Sequence, residues 1–255
     1  MEGKKLLHSI SLKNLLSYGS EGVTIELEPL NVLIGPNASG KSNLIEAISL
    51  LAAAPRNLLA PFRDSGFAED WLWKGRGKPV AELEASFELP DSDERTRLFY
   101  SLQFGVQGIR LDILHESLGP AANRGKFFFR DKNVAGALRA GGGSLEPLHG
   151  RIDFDPQQSL FVHLKDPIDY PFSAPLGDQL GRVRFFRGWP FGRHSILRKP
   201  QDVHLPDDFL LEDGSNLGLI LNDLQNHRET KLAILENLRL LYEDVEDVTT
   251  KVQGG

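Results

Sequence analysis

Residues Asn31–Ala53 read NVLIGPNASGKSNLIEAISLLAA, and this stretch carries the strongest fold signal in the chain. The apolar run Leu30–Ile34 predicts a buried strand. From Ser42 onward apolar residues recur at helical spacing until Pro55, which predicts a helix that ends there. Between strand and helix, Gly35–Ser42 fits the pattern G-x-x-x-x-G-K-[ST] in full. The order strand, glycine-containing loop, helix is the context in which this pattern binds nucleotide phosphates.

The eight-residue loop contains each chemical group that phosphate binding needs. Gly35 and Gly40 permit a tight turn in which several backbone N–H groups converge on a phosphate. The Lys41 ammonium supplies positive charge to the β- and γ-phosphates, and the Ser42 hydroxyl is placed to bind Mg²⁺. The start of the helix adds the positive end of its dipole. The predicted nucleotide site comprises Gly35, Pro36, Asn37, Ala38, Ser39, Gly40, Lys41, Ser42 and Asn43.

The composition excludes several classes of protein. The 255 residues include no cysteine, which excludes disulfides, thiolate catalysis and cysteine-ligated zinc. The seven histidines follow no metal-ligand spacing. Because the net charge is −6, contact with nucleic acid would need a local basic patch. The sequence has no signal peptide and no apolar run long enough for a membrane span, so a cytoplasmic protein without a membrane partner is expected.

Hydrophobic periodicity divides the chain into three segments. Residues 1–60 contain N-terminal strands, the glycine-containing loop and the first helix. Residues 61–150 contain period-2 strands such as Ala81–Glu88 and Arg97–Gln107; because no helix separates them, these strands are expected to form an antiparallel β subdomain. Residues 151–255 are expected to form a mixed and largely helical lobe.

The phrase SLKNLLSYGSEGVTIELEPLNVLIGPNASGKSNLIEAI, residues 11–48, resembles the N-terminal signature of the RecF/SMC/OLD branch of AAA-type ATPases, within the ABC ATPase class. The later stretches SLFVHLKDPIDYP, GRVRFFRGW and LLEDGSNLGLILNDL are similar to bacterial ATPases of the AAA domain 21 group. The resemblance covers most of the chain and is looser from Trp71 to Pro147. It implies an α/β fold of the P-loop NTPase class and ABC type, with a mixed core sheet, an antiparallel β subdomain and a helical lobe.

The resemblance also implies ATP and Mg²⁺ as cofactors, with the nucleotide held between two ATPase heads. In that family a Walker B aspartate and a neighbouring glutamate follow an apolar strand, and a signature motif begins at a serine. The sequence has neither pattern, since Leu210–Asp213 contains only two leucines before its acids. We therefore expect the chain to be the N-terminal part of an ATPase, ending before the Walker B half. A C-terminal half or a second head would complete it, and alone it would bind ATP without efficient hydrolysis.

Other residues have two interpretations that the sequence leaves open. Asn14 and Tyr18 fall where such ATPases place groups against the adenine or ribose, but Tyr18 also fits a turn residue that packs on the sheet edge. Gln157 and Gln158 lie near the position of a family glutamine that senses Mg²⁺ and the γ-phosphate. Gln158 is the preferred candidate, and a solvated loop glutamine is the alternative.

The segment Gly181–Lys199 is basic and aromatic. It carries five arginines, one lysine and no acid, with phenylalanines and a tryptophan between them. This composition suits nucleic acid, a protein interface, or a partly buried strand whose arginines reach solvent. The candidate contact residues are Arg182, Arg184, Arg187 and Arg193. The acids of Asp207–Asp213 could neutralise this segment or form a solvated loop before a helix cap at GSN.

Two functions fit these observations. The first is the ATP-binding head of a RecF/SMC/OLD-like ATPase, in which ATP promotes head dimerisation coupled to DNA processing, repair or phage defence, with DNA or a nuclease as partner. The alternative is an ATP-gated protein-interaction switch that regulates an effector without direct nucleic-acid binding. A transporter ATPase subunit fits less well, because its signature and Walker B motifs should occur within this length.

Overall fold

The structure is a computed structural model that describes residues 5–75, 77, 79–89, 97–108, 110–120, 126–131, 134–138, 144–148, 155–189 and 191–251. The chain divides into two compact units, Met1–Val183 and Arg184–Gly255. The segment boundary expected at residues 150/151 lies outside the described residues. Among the described residues, no helix combines the length and apolar character needed to cross a lipid bilayer.

The first unit is built on one eight-stranded sheet in which every neighbouring pair is antiparallel. Its strands lie in the order β2-β1-β3-β4-β5-β6-β7-β8. They are β1 Leu7–Lys13, β2 Val23–Glu26, β3 Ala81–Glu88, β4 Arg97–Gln107, β5 Arg110–Pro120, β6 Phe128–Asp131, β7 Val134–Ala137 and β8 Glu146–Pro147. The predicted antiparallel pairing is confirmed. The expected mixed core sheet is wrong for the described strands, because β1 and β2 pair antiparallel within this same sheet.

One face of the sheet forms the core together with three helices: α1 Lys41–Ala53, α2 Ala60–Ser65 and α3 Ser173–Gly181. Strict alternation produces this face; in β3 every second residue, from Ala81 to Phe87, is buried. Helix α1 turns Leu44, Ala47, Leu50 and Leu51 toward the same core, and it also packs against α2 and α3. The predicted helix after the glycine-containing loop is thereby confirmed.

The prediction of a buried strand at Leu30–Ile34 is wrong for this chain. None of these residues lies in a strand, and Leu30, Val32 and Ile34 are 83%, 74% and 91% exposed. The physical reason is that no described strand pairs with Leu30–Ile34. The apolar face of α1 does not cover this run either, because it packs on the sheet that contains β1. An apolar run forms a buried strand only where neighbouring backbone and side chains cover it.

A polar network lies inside this core. Glu116 on β5 is fully buried, and its carboxylate accepts hydrogen bonds from the Tyr100 hydroxyl (2.9 Å), the Ser159 hydroxyl (2.5 Å) and the Leu160 N–H (2.8 Å). Arg130 on β6 is 2% exposed and donates to the carbonyls of Asp155 and Gln158. Burial raises the pKa of Glu116, against the opposing effects of these donors and of Arg130. The network fastens the segment Asp155–Leu160 to the sheet.

The raised pKa of Glu116 sets a direction for the pH dependence of folding. A carboxyl whose pKa is higher in the folded state stabilises the fold below its unfolded pKa, and this contribution is lost as the pH rises through the folded pKa. Glu116→Gln should remove this component of the pH dependence, because the amide does not ionise. Below the unfolded pKa it should also cost about 1–3 kcal/mol of unfolding free energy, since an amide nitrogen cannot accept one of the three bonds, and this difference should shrink as the pH rises. Urea unfolding at several pH values measures both effects.

Glu82→Gln is the matched control, because Glu82 lies on the same sheet, is partly exposed and pairs with Lys13. It should leave the pH dependence close to that of the unaltered protein. An identical pH dependence in Glu116→Gln and the unaltered protein would contradict the account of the buried carboxyl.

The second unit is held together by short elements and one buried amide. It contains α4 Leu217–Asp223 and α5 Arg228–Arg239, whereas α3, which also lies within the 151–255 segment, belongs to the first unit. Asn216 precedes α4 but does not cap it with its side chain. Instead its amide donates to the carbonyls of Pro206 and Phe209 and accepts from the Leu211 N–H. The GSN stretch therefore closes the preceding loop.

Candidate functional site

The glycine-containing loop leads directly into the first turn of α1. Residues 35–39 are exposed and only Gly40 is buried. Ala38 and Gly40 have positive φ angles of 64° and 92°, which lets the chain turn sharply into the helix. The first helical hydrogen bond runs from the Leu44 N–H to the Gly40 carbonyl (2.9 Å). The N–H groups before it have no partner within the helix, and they favour an anion at this end of α1.

Lys41 is the first residue of α1, and its side chain folds back over the loop. Its ammonium donates to the carbonyls of Gly35 (2.7 Å) and Pro36 (2.6 Å) and lies 3.3 Å from the Ser39 hydroxyl. The positive charge is thus held where the loop backbone curves, while Ser42, the next residue, is exposed. The sequence-predicted residues Gly35 to Ser42 form one continuous turn into α1, exposed except at Gly40 and Lys41.

The turn after β1 is hydrogen-bonded to the residue at which this loop enters α1. Tyr18 donates its hydroxyl proton to the Gly40 carbonyl (3.2 Å), and burial raises the pKa of this phenol, so the hydroxyl remains a donor. Asn14 has a φ of 53°. Its side-chain amide donates to the Val80 carbonyl (3.1 Å), and its backbone carbonyl accepts from the backbone N–H of Trp73 (3.0 Å). The structure therefore brings Tyr18 to the loop and turns Asn14 toward the segment Trp71–Val80.

Gln157 and Gln158 belong to the segment that the buried network holds. The Gln157 N–H donates to the Asp155 carboxylate (2.9 Å), and the Gln158 carbonyl accepts from Arg130 (2.9 Å). These contacts use backbone atoms of the two glutamines. Within the described part of the chain, no group of three or more His, Asp or Glu side chains is placed to hold a metal ion.

The candidate arginines fall into different environments. Arg182, at the end of α3 in the first unit, pairs with Asp178 at 2.8 Å. In the second unit the guanidinium of Arg184 lies over the Phe209 ring and that of Arg187 lies over the Phe185 ring, at 5.3 and 5.0 Å. Arg193 is exposed. The basic segment is thus divided between the two units.

Glu212 contacts the aromatic part of this segment through its side chain and through its backbone carbonyl. Its carboxylate accepts from the Phe185 N–H (2.9 Å), and its carbonyl accepts from the Trp189 indole N–H (2.7 Å). Leu210 and Leu211 are loop residues, which agrees with the view that Leu210–Asp213 is too short for a Walker B strand. Phe186 and Phe191 remain 51% and 73% exposed around Trp189.

Comparison with known proteins places the chain in a family. The family described as "AAA domain, putative AbiEii toxin, Type IV TA system" matches residues 30–223, which include the glycine-containing loop and most of the chain. The chain belongs to this AAA domain family. The resemblance to the AAA domain 21 group is therefore confirmed, and the α/β fold with an antiparallel sheet is consistent with a P-loop NTPase.

Two solved structures are similar to parts of this AAA domain. The structure titled "Structural biochemistry of ATP-driven dimerization and DNA stimulated activation of SMC ATPases" is 22% identical over 46% of this chain and 69% of that chain, with a TM-score of 0.34. The structure titled "Crystal structure of the SmcHead bound to the C-winged helix domain of ScpA" is 22% identical over 44% of this chain and 35% of that chain, with a TM-score of 0.35. No curated protein matches the sequence.

Sequence reasoning did not find the residues that support the site. Trp73 and Val80 bond to Asn14 across 59 and 66 positions of sequence, and Glu116 binds Ser159 across 43. The alternation of β5 places Glu116 among buried residues, and an acid at a core position is the signal that could have marked it. The Trp73 contact has no comparable signal.

Gly40 is the position where the loop depends most on the absence of a side chain. A Cβ there would lie 3.1 Å from the Ser17 hydroxyl and 3.5 Å from the Tyr18 hydroxyl, at a φ of 92°. Gly40→Ala should lower the unfolding free energy by about 1–2 kcal/mol and disturb the Tyr18 contact. Chemical denaturation measures the loss. Gly192→Ala is the control, because a Cβ at Gly192 meets nothing within 4 Å; equal losses for the two variants would contradict the account.

Proposed function

We propose that this chain is the ATP-binding part of an ABC-type ATPase head of the RecF/SMC/OLD kind. One observation carries the proposal: Gly35–Ser42 forms an exposed loop at the start of α1, with the Lys41 ammonium held over its backbone carbonyls. On binding of a triphosphate, the Lys41 ammonium would leave the Gly35 and Pro36 carbonyls and donate to phosphate oxygens instead. The phosphates would also accept hydrogen bonds from the first N–H groups of α1. Asn37, Ala38, Ser39 and Asn43 would line the same site.

Mg²⁺ fits this loop only as a partner of the nucleotide. Ser42 is exposed beside Lys41 and offers one hydroxyl oxygen, and the described residues provide no acidic cluster of their own. Such an ion would be held by Ser42, by phosphate oxygens and by water, as is usual for Mg²⁺ at phosphates. Gln158 stays a candidate for a further Mg²⁺ contact.

Efficient hydrolysis is proposed to require a second polypeptide segment. Leu30–Ile34 leads directly into the phosphate loop, yet its apolar side chains are exposed and no described strand pairs with it. A strand added beside it would cover these side chains and would place new groups next to the loop. A C-terminal ATPase half or a second head is the proposed source of this strand and of the catalytic carboxylates.

Lys41→Ala tests the phosphate loop directly. Removing the ammonium should weaken MgATP binding by about tenfold to a hundredfold, because a charge-assisted hydrogen bond contributes about 1.5–3 kcal/mol. Isothermal titration calorimetry of the 255-residue chain measures this change. Lys165→Ala, which removes an exposed lysine far along the sequence, is the matched control and should bind as the unaltered protein does.

The unaltered chain should also turn over ATP slowly. Rapid phosphate release from the purified chain, abolished by Lys41→Ala, would overturn the proposed need for a second segment while supporting the nucleotide site. Equal MgATP affinity in Lys41→Ala and the unaltered chain would overturn the nucleotide site itself.

Two functions are candidates for the process that ATP binding controls. Head dimerisation coupled to DNA processing, repair or phage defence is favoured by the second unit, where Arg184 and Arg187 stack on phenylalanines and Phe186 and Phe191 are exposed. Arginines and exposed aromatic rings suit phosphates and bases. The alternative is an ATP-gated protein-interaction switch, which the same surface would serve as an interface.

Charge reversal separates these two outputs. Arg187→Glu with Arg193→Glu should weaken binding to single-stranded or duplex DNA by at least tenfold and reduce its salt dependence, because both side chains are exposed. Fluorescence anisotropy at several salt concentrations measures the change. The control is Arg228→Glu with Lys251→Glu, which alters net charge equally at other exposed sites of the same unit. Unchanged DNA binding in the first pair would remove the support for nucleic acid and favour the protein-interaction switch.

A further inference from the structure

A cavity of about 580 Å³ lies within the second unit, and residues of α4 form part of its lining. Its volume falls within the roughly 300–1,000 Å³ range of small-molecule sites. Among the described residues that line it, none is aromatic and none is acidic. Its apolar residues are Leu197, Pro200, Val203, Leu217, Leu219 and Leu221. Aliphatic walls without an aromatic face suit a flexible hydrocarbon chain better than a flat ring, which would have nothing to stack on.

Two hydrogen bonds fasten loop segments to α4 and give the cavity fixed walls. The Gln201 side-chain oxygen accepts from the Gly218 N–H, and a Cβ on Gly218 would lie 2.9 Å from that oxygen. The Thr250 hydroxyl donates to the Asn222 side-chain oxygen (2.9 Å). All four residues line the cavity. Because these contacts form without a ligand, little ordering of the walls is needed on binding.

Three cations line the cavity, and its lining contains no carboxylate to neutralise them. Arg198, Lys199 and Lys251 are exposed, and among the described residues none of the three forms an ion pair. Asp202, the acid closest to Lys199 in sequence, is outside the lining, and its carboxylate accepts from the His204 N–H. Unneutralised positive charge beside apolar surface attracts a molecule that is itself both anionic and apolar.

We propose that this cavity binds an aliphatic carboxylate, with its chain against the leucines and its carboxylate beside Arg198 and Lys199. A guanidinium donates two parallel hydrogen bonds to a carboxylate, and the neighbouring ammonium adds a second charge. Each methylene that enters the cavity leaves water, which favours the complex. The site does not depend on the proposed nucleotide site, because its lining residues belong to the second unit and Gly35–Ser42 belongs to the first.

Calorimetric titration of the 255-residue chain with hexanoate, heptanoate and octanoate, all below micelle-forming concentrations, tests the apolar part. Affinity should rise about threefold to fourfold with each added methylene, as the burial of one CH₂ group predicts. 1-Octanol, which has the same chain length and no charge, tests the ionic part. Octanoate should bind at least about fivefold more tightly than 1-octanol. This preference should shrink between about 0.05 and 0.5 M NaCl, because salt screens the exposed cations.

Arg198→Gln with Lys199→Gln tests the assignment of the carboxylate. In this double variant the preference for octanoate over 1-octanol should fall to within about twofold, because the charges that distinguish the two ligands are gone. Its affinity for 1-octanol should stay within about twofold of that of the unaltered chain, which shows that the cavity is intact. Arg228→Gln with Lys165→Gln is the matched control, since it removes equal charge at exposed positions outside the lining and should keep the preference.

Val203→Asp provides a complementary test that adds a charge instead of removing one. Val203 lines the cavity and is 60% exposed, so the substitution should leave the fold intact. A carboxylate at this position should weaken octanoate by at least about fivefold through repulsion of like charges and should weaken 1-octanol less. Equal weakening of the two ligands would count against a carboxylate bound beside this wall.

Four further results would overturn the proposal. Absence of octanoate binding would remove the site, and equal affinities for hexanoate and octanoate would reduce it to surface charge. Equal affinities of the unaltered chain for octanoate and 1-octanol would reduce it to apolar surface. A preference for octanoate that persists in Arg198→Gln with Lys199→Gln would place the carboxylate elsewhere. None of these measurements involves ATP, so the proposed nucleotide site stands or fails separately.

Discussion

The packing of α1 against the antiparallel sheet is the constraint on which the site depends. Leu44, Ala47, Leu50 and Leu51 are all buried in the core shared with the sheet, so the helix cannot shift without exposing apolar surface. Burying one such leucine contributes about 1.5–3 kcal/mol. Because Lys41 and Ser42 form the first turn of this helix, the core fixes where their side chains begin. The Tyr18 hydroxyl then fixes the loop at Gly40.

The polar groups in the interior show why the sheet and the loops act as one unit. Glu116 is isolated from water, yet three donors from β4 and the Ser159–Leu160 segment satisfy its carboxylate. Tyr100 and Ser159 both donate to Oε1, whereas Oε2 has the Leu160 N–H as its donor, and a buried acceptor left unpaired costs more than the bond itself contributes. Arg130 binds two carbonyls of the same segment. The segment that carries Gln157 and Gln158 is thereby held by the sheet as well as by its local bonds to Asp155.

Opposite patterns of exposure distinguish the two apolar runs that flank the glycine-containing loop. The helix after it is covered, whereas Leu30–Ile34 before it is exposed on both of its alternating faces. A strand buried on both faces normally lies in the middle of a sheet. This contrast relates the fold to the proposed function, since covering Leu30–Ile34 and assembling a hydrolytic site would be the same event.

The sequence by itself determined the glycine-containing motif, the helix after it, the antiparallel strands and the AAA family, because each depends on residues close together in the chain: a fixed motif, a helical period or an alternation. It wrongly predicted a buried strand at Leu30–Ile34, where local apolar character had no partner strand to cover it. Only the tertiary structure decided that Tyr18 bonds to Gly40, that Asn14 bonds to Trp73 and Val80, and that Glu116 bonds to Ser159. Such contacts join residues tens of positions apart, and their geometry is set by sheet register and helix packing, which no local pattern encodes.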